Sequence, residues 1–263
     1  MIHDDKQLEE LLSDKIVLRE KLHHWPLSYV EKVITNSNSI YIYKSQHSAS
    51  SVEKAFYTNI KSPFLLSPVF YDTYDNCDIM ILPYLDYPTL ENVQGIELEQ
   101  IITNISNIIQ EFSDMPVFFD LSSVDKLAQI IDTVCIIFKE ENDSQYITIL
   151  KDWIISRAHV CYDNSQIGNI HGDLTFSNIL VKDGELCCIL DWQRPMKAPV
   201  LLDSALAFRL AGYDAVNKYG DFGILAVVCN FLWYSYACLN FIPFVYNHAH
   251  KLLLEFVSLV NDY

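Results

Sequence analysis

An α+β fold, a small antiparallel sheet first and a larger, mainly helical part after it, is predicted by three observations. β-branched and aromatic runs separated by turn-forming clusters fill most of the first eighty or so residues. Beyond "LDYPTL" long helical periods take over. The 263 residues, 51% of them apolar, are enough for one large domain or two modest units.

Taken in order, "YVEKVIT" and "SIYIYKS" flank the cluster "NSNS" and read as a hairpin. "SVEKAFYTNI" reads as a short helix, and "VFYD" and "CDIMILPYL" as further strands, antiparallel because their connections are short. Pro83 and Pro88 bracket a connector, which divides the chain into a first unit over 1–84 and a second over 85–263. Ile101, Ile102, Ile105, Ile108, Ile109 and Phe112 then recur at spacings of three and four, so a helix over about 97–113 buries that face. Similar patterns run through "VDKLAQIIDTVCIIFKE" and "QYITILKDWIISRAHVCY" and resume over about 203–218, 222–241 and 247–261. Between them, "GNIHGDLTFSNILV" enters a strand and "LCCILDW" forms its partner, joined by "KDGE", where Gly184 can take positive φ.

The net charge of −16 argues against a grip on nucleic acid, whose phosphates are held by clustered Lys and Arg, and suits cationic partners. Seven Cys without CxxC spacing resemble neither a disulfide framework nor a zinc site. That usage, with a charged N-terminal stretch unlike a signal peptide, leads us to expect a cytoplasmic protein. The uncharged run from Phe222 to Asn247 is long enough to span a bilayer, yet Asn230, Asn240 and Pro243 interrupt it and flanking basic clusters are missing. A buried core helix is the expectation, with no membrane partner.

The chemistry concentrates in residues 169–192. Asp173 and Asn178 precede one arm of the hairpin and Asp191 closes the other, and arms of similar length return Asp191 to the neighbourhood of Asn178. An amide oxygen and a carboxylate are hard ligands suited to magnesium, with phosphates and water completing the shell. Asp173 is then free to accept a proton from an incoming hydroxyl.

His171, Gly172, Asp173 and Asn178, as HGDxxxxN, followed by "ILDW", resemble the catalytic and metal motifs of the aminoglycoside phosphotransferase and choline kinase-like family. The resemblance implies a two-lobed protein-kinase-like fold. It implies Asp173 as base, Asn178 and Asp191 as magnesium ligands, and His171 as a brace of the loop. A kinase site also needs a lysine for the nucleotide phosphates and a helix glutamate to hold it. Lys44 and Glu53 stand in the right order, with Lys54 and Glu31 as rivals. Leu82 to Tyr84 resemble the hinge that meets the base of the nucleotide, and Asp203 is a brace or helix cap.

The expected cofactors are ATP or GTP with Mg2+, and the expected acceptor is a hydroxyl of a small, cationic molecule such as an aminoglycoside or a choline-like amino alcohol. Asp132, Glu140, Glu141, Asp143, Asp214 and Asp221 are candidates for an acidic acceptor wall. One departure stands out. The phosphate-covering turn of the family usually holds Gly or small residues, whereas here it reads "HHWPLS", leaving Ser28 as the candidate phosphate contact. That turn keeps a second reading open, a nucleotide-binding regulatory or degenerate member that transfers nothing.

Overall fold

In the computed structural model, which describes residues 3–93 and 97–262, the chain opens on helix α1 (Asp5–Leu12). Asp4 accepts the Gln7 backbone N–H while the Gln7 side chain accepts that of Asp4, a capping box that satisfies two otherwise orphaned donors. Strands β1 (Ile16–Trp25), β2 (Ser28–Thr35) and β3 (Ile40–His47) follow, then α2 (Glu53–Asn59), β4 (Phe70–Tyr74) and β5 (Cys77–Pro83). Next come α3 (Leu98–Gln110), β6 (Phe119–Asp120), α4 (Val124–Val134), α5 (Glu141–Trp153), α6 (His159–Asp163) and β7 (Ile167–Ile170). The chain continues with β8 (Ile179–Lys182), β9 (Glu185–Ile189), β10 (Met196–Pro199), α7 (Leu201–Leu210), α8 (Ala215–Tyr219), α9 (Asp221–Asn240) and α10 (Tyr246–Asp262).

These elements sort into two compact units that are not sequential. The first comprises Met1–Ile96, Asp114–Pro116 and Ser177–Arg194; the second comprises Glu97–Ser113, Val117–Phe176 and Pro195–Tyr263. A single division near residue 84 therefore does not describe the chain, because the β8–β9 hairpin is hydrogen-bonded into the first unit. The Val181 N–H donates to the Pro88 carbonyl and the Ile189 N–H to the Phe64 carbonyl, each at 2.9 Å.

The first unit is built on a five-stranded antiparallel sheet of order β1-β2-β3-β5-β4. Alternation along β3 gives the sheet two different faces. Tyr43 is fully buried with Leu8, Val33, Ile79 and Ile81 in a core that α1 helps to cover, while Ile42 and Lys44 line a cavity on the other side. Burying such side chains contributes about 1.5–3 kcal/mol each. Neither α1 nor β1 was legible in the sequence. The helix has eight residues and fully buries only Leu8, and β1 is an edge strand with register shifts between Ile16 and Leu18 and between Lys21 and His23, so no clean alternation survives. Those irregularities and the charged Arg19, Glu20 and Lys21 blunt an edge that exposes Val17, Leu18 and Leu22.

The second unit gathers helices around α9, which buries residues on every side, from Phe222 through Cys238. It is the one helix among the described residues long and apolar enough to cross a bilayer, and 72% of that stretch lies buried inside the protein, as in a core helix. The periodic stretch expected over 203–218 breaks at Gly212, whose φ of +85° turns α7 into α8. One π-helical turn, Ile154–Ala158, joins α5 to α6. A small sheet of order β6-β10-β7 completes the unit.

Close approach of α8 and α9 depends on Gly223. A Cβ there would stand 2.4 Å from the Ala215 carbonyl oxygen, a backbone atom that cannot swing aside. We expect Gly223→Ala to destabilise the protein by about 1–3 kcal/mol, read as a lower denaturant midpoint at unchanged m value. An unchanged midpoint would disprove the tight contact.

Candidate active site

The hairpin turn sets the geometry. Asp183 and Gly184 both have positive φ, +53° and +85°, the backbone of a type I′ turn whose twist matches paired strands. Pairing runs from Lys182 opposite Glu185 to Ile179 opposite Ile189, and the Leu190 N–H donates to the Asn178 carbonyl at 2.8 Å. The open ends of the hairpin thus carry Asn178 and Asp191 side by side. Asp191 itself sits at φ +64°, a left-handed backbone that costs energy for a non-glycine residue and is common where function dictates the shape.

Trp192 holds that end in place, a role the sequence did not disclose. Its indole is fully buried, stacks on Phe56 of α2 at 4.1 Å with planes 7° apart, and donates Nε1–H to the Ile189 carbonyl at 3.1 Å. The Val52 N–H donates to the Gln193 carbonyl at 3.0 Å, so the start of α2 is tied to the same segment. Glu53, the first residue of α2, therefore lies beside Asp191.

Lys44 joins the two carboxylates. Its Nζ lies 2.5 Å from Glu53 Oε2 and 2.7 Å from Asp191 Oδ1. The rivals go elsewhere: Lys54 donates to Thr73 Oγ1 at 2.5 Å, and Glu31 binds Arg19 and Tyr29. Lys44 and Glu53 are almost completely buried. Burial works against the Lys44 ammonium, but Asp191 and Glu53 outweigh it and hold its pKa above the ordinary lysine value. Burial pushes the Glu53 carboxyl up to about 7, opposed by the field of Lys44. The lysine is the securely charged member.

These groups line one cavity of about 330 Å3 in the first unit. Val30, Ile42, Leu82, Leu180 and Leu190 supply apolar walls, while Lys44, Glu53, Asn178 and Asp191 supply charge and hard oxygen ligands. Leu82 and Tyr84 both line it, and the Tyr84 N–H is donated to the Ile40 carbonyl at 3.0 Å. Ser28 is not among its lining residues. It is buried at the start of β2 opposite Gln46, under a turn pinned by the bond from the His47 N–H to the Leu27 carbonyl at 2.8 Å. Without glycine, and with Leu27 buried, that turn is fixed in place.

The second unit contains His171 and Asp173. Asp203, on the first turn of α7, is buried and accepts two backbone bonds, from the His171 N–H at 2.8 Å and the Gly172 N–H at 3.0 Å. Gly172 can take the φ of +77° this grip requires. Burial raises the Asp203 pKa, and His171 with the two backbone donors opposes the rise. The Asp173 N–H lies 3.3 Å from His171 Nδ1, so the fully buried histidine braces the loop from inside. Upstream, Gln110 Nε2 donates to the Asn169 carbonyl at 2.6 Å, and the Asn169 side chain donates to the Phe112 carbonyl at 2.8 Å, fixing β7 to the end of α3. Asp203→Asn keeps the size but offers one acceptor oxygen for two donors. We expect it to cost about 1–3 kcal/mol of stability, and steady-state assay should show a lower kcat. Full stability and full kcat would remove the brace.

Most of the candidate acidic-wall residues have partners within the protein. Asp132 pairs with Lys151, Asp221 with Arg157, and Asp214 caps α8. Asp143 is fully buried and binds Tyr246 and His250 at 3.0 Å each. The Glu140 N–H lies 3.4 Å from Asp143 Oδ2. The Glu141 side chain lies outside the described residues. Sequence spacing alone could not show that most of these carboxylates have partners of their own.

The chain is similar to known phosphotransferases in one stretch of its sequence and in its fold. Residues 138–221, the stretch holding Asp173, Asn178 and Asp191, match the phosphotransferase enzyme family (APH). No curated protein matches the sequence significantly. Among solved structures, a thermostable mutant of aminoglycoside phosphotransferase APH(4)-Ia is similar at TM-score 0.68 and 13% identity, over 97% of this chain and 98% of that one. Its ternary complex with ADP and hygromycin B aligns at TM-score 0.65 and 12% identity over 97% of each. Choline kinase LicA from Streptococcus pneumoniae aligns at TM-score 0.64 and 16% identity, over 95% of this chain and 97% of that one. At such identities the structural likeness is one of fold, the protein-kinase-like α+β fold. The match to the phosphotransferase enzyme family is confined to residues 138–221, while the likeness in fold to aminoglycoside phosphotransferase and choline kinase structures extends over nearly the whole chain.

Proposed function

We propose that the protein is an ATP- and Mg2+-dependent kinase that transfers the γ-phosphoryl group to a hydroxyl of a small, cationic molecule. The observation that carries this reading is Lys44, buried and held between Glu53 and Asp191 in a cavity that Asn178 also lines. A lysine so placed binds the nucleotide phosphates, and Glu53 fixes its direction. The apolar walls suit a purine, and Leu82, Pro83 and Tyr84 line the same cavity.

The donor set fits magnesium. One carboxylate and one amide oxygen are hard ligands of the kind that ion accepts when phosphates complete its shell. Among the described residues no cluster of three or more His, Cys, Asp or Glu side chains is arranged for a metal. Once bound, the ion neutralises charge on the transferring phosphoryl group. Asp191 and Asn178 would hold it. Asp173 accepts the acceptor's hydroxyl proton and directs the oxygen, and His171 and Asp203 keep its loop in shape.

The solved relatives favour ATP over GTP, because they include ADP and ATP complexes. Bound hygromycin B, and the choline kinase, favour a cationic hydroxyl acceptor, as does the charge of −16. Incubation with Mg2+, γ-labelled ATP and a panel of aminocyclitols, amino alcohols and neutral sugars should move label onto a cationic member. Label found only on neutral sugars would refute the acceptor class. The pinned, glycine-free turn supports the second reading of a degenerate member; a thermal shift with ATP but no labelled product from any acceptor would establish that reading instead.

A further inference from the structure

The turn between β1 and β2 has no glycine, and Ser28 does not line the cavity. β1 brings a different group to that end of the site. It pairs Lys21 with Glu31 and His23 with Val30, so Leu22 is one residue too many, a bulge. In an unbroken ladder Leu22 would stand opposite Val30 and His23 would face the other way. Residues paired across strands project to the same side of a sheet, so the bulge turns His23 to the face on which Val30 lines the cavity. The neighbouring ring agrees. His24 pairs with Tyr29 and packs edge-on against it, ring centroids 5.7 Å apart, on the face where Tyr29 joins Tyr43 in the apolar core.

Val30 pairs in turn with Lys44, so His23, Val30 and Lys44 form one row across three strands. The row nearer the hinge is Glu20, Lys32, Ile42 and Leu82. His23 therefore stands at the phosphate end of the cavity and not at the base end. With strands about 4.8 Å apart, its backbone lies about 10 Å from that of Lys44, a gap that a phosphate chain gripped from both sides fills. The His23 ring is exposed and has no hydrogen-bond or ring partner among the described residues. Exposure alone would leave it an ordinary surface histidine; the bulge that aims it along the row of Lys44 gives it a task. We propose that His23 is a phosphate-binding residue, whose imidazole N–H donates to the phosphate chain of the nucleotide in place of the backbone amides of a glycine-rich turn. This role rests on the nucleotide-binding reading of the cavity.

Titration calorimetry tests it. His23→Ala should bind MgATP about tenfold more weakly than wild type, the loss of one hydrogen bond to a charged group. Adenosine, which has no phosphates, should bind wild type and His23→Ala equally. His24→Ala, altered on the other face of the same strand, should keep wild-type affinity for MgATP. Wild-type MgATP affinity in His23→Ala overturns the proposal. So does a matching loss of adenosine affinity, which would make His23 part of the base or ribose pocket, or an equal loss in His24→Ala, which would trace the effect to the shape of β1. If wild type itself takes up no MgATP, the nucleotide reading of the cavity falls and the role of His23 falls with it.

Discussion

Asp173→Asn is expected to lower kcat by about 10²–10⁴-fold, the range removed with a positioned general base, while Tm and the affinity for MgATP stay at wild-type values. The reason for this separation is where Asp173 stands. It is half-buried on a loop whose shape is held by other groups: Asp203 accepts the His171 and Gly172 N–H groups, and His171 fills the interior. An amide in place of the carboxylate keeps its size, leaves the bonds to Asp203 in place and removes the proton acceptor. Steady-state kinetics with the best acceptor, beside a melting curve, give both readings. A variant with wild-type kcat would show that the base lies elsewhere; a variant with normal kcat but raised KM would make Asp173 an acceptor-binding group.

Lys44→Met has the second large expected effect, and on both activity and stability. It leaves the Glu53 carboxylate 1% exposed without the cation that compensates it. Removing one partner of a buried ion pair typically costs about 3–5 kcal/mol. It also removes the group proposed to bind the phosphates, so transfer should fall to background.

The stability loss carries a pH signature. The Glu53 pKa is raised by burial from 4.5 to about 7. A carboxyl whose pKa is higher folded than unfolded binds its proton more tightly in the folded state. Its contribution is therefore fully present below about pH 4.5 and is lost as pH rises through about 7. Wild type should lose unfolding free energy across that window, and Glu53→Gln should flatten the slope. Lys44→Met, which takes away the field that favours the ionised carboxylate, should show a larger deficit at about pH 8 than at about pH 5. Equal deficits at the two pH values would mean that Glu53 is not sealed in as the geometry requires.

Much of the site was legible because the decisive residues lie in a local pattern. "KDGE" dictates a tight turn, the turn dictates the register, and the register returns Asp191 to Asn178. The helical periods were legible for the same reason: Ile101, Ile102, Ile105 and Ile109 are buried on one face of α3, as their spacing demands. What failed locally failed for visible causes. β1 is bulged at an edge, α1 is short and polar, and an acidic count says nothing about which carboxylates find a lysine, arginine, tyrosine or histidine. Ser28 lay in the right stretch, but its burial depends on how Leu27 is tied to His47.

The sequence by itself determined the periods, the turns and the order of the chemical groups along the chain, since each follows from backbone preferences within a few residues. Only the tertiary structure decided that Lys44 meets Asp191 across 147 residues and that Trp192 locks α2 to the hairpin. Those outcomes depend on which surfaces are buried against each other, and burial sums contacts over the whole fold. No short window of residues contains that sum.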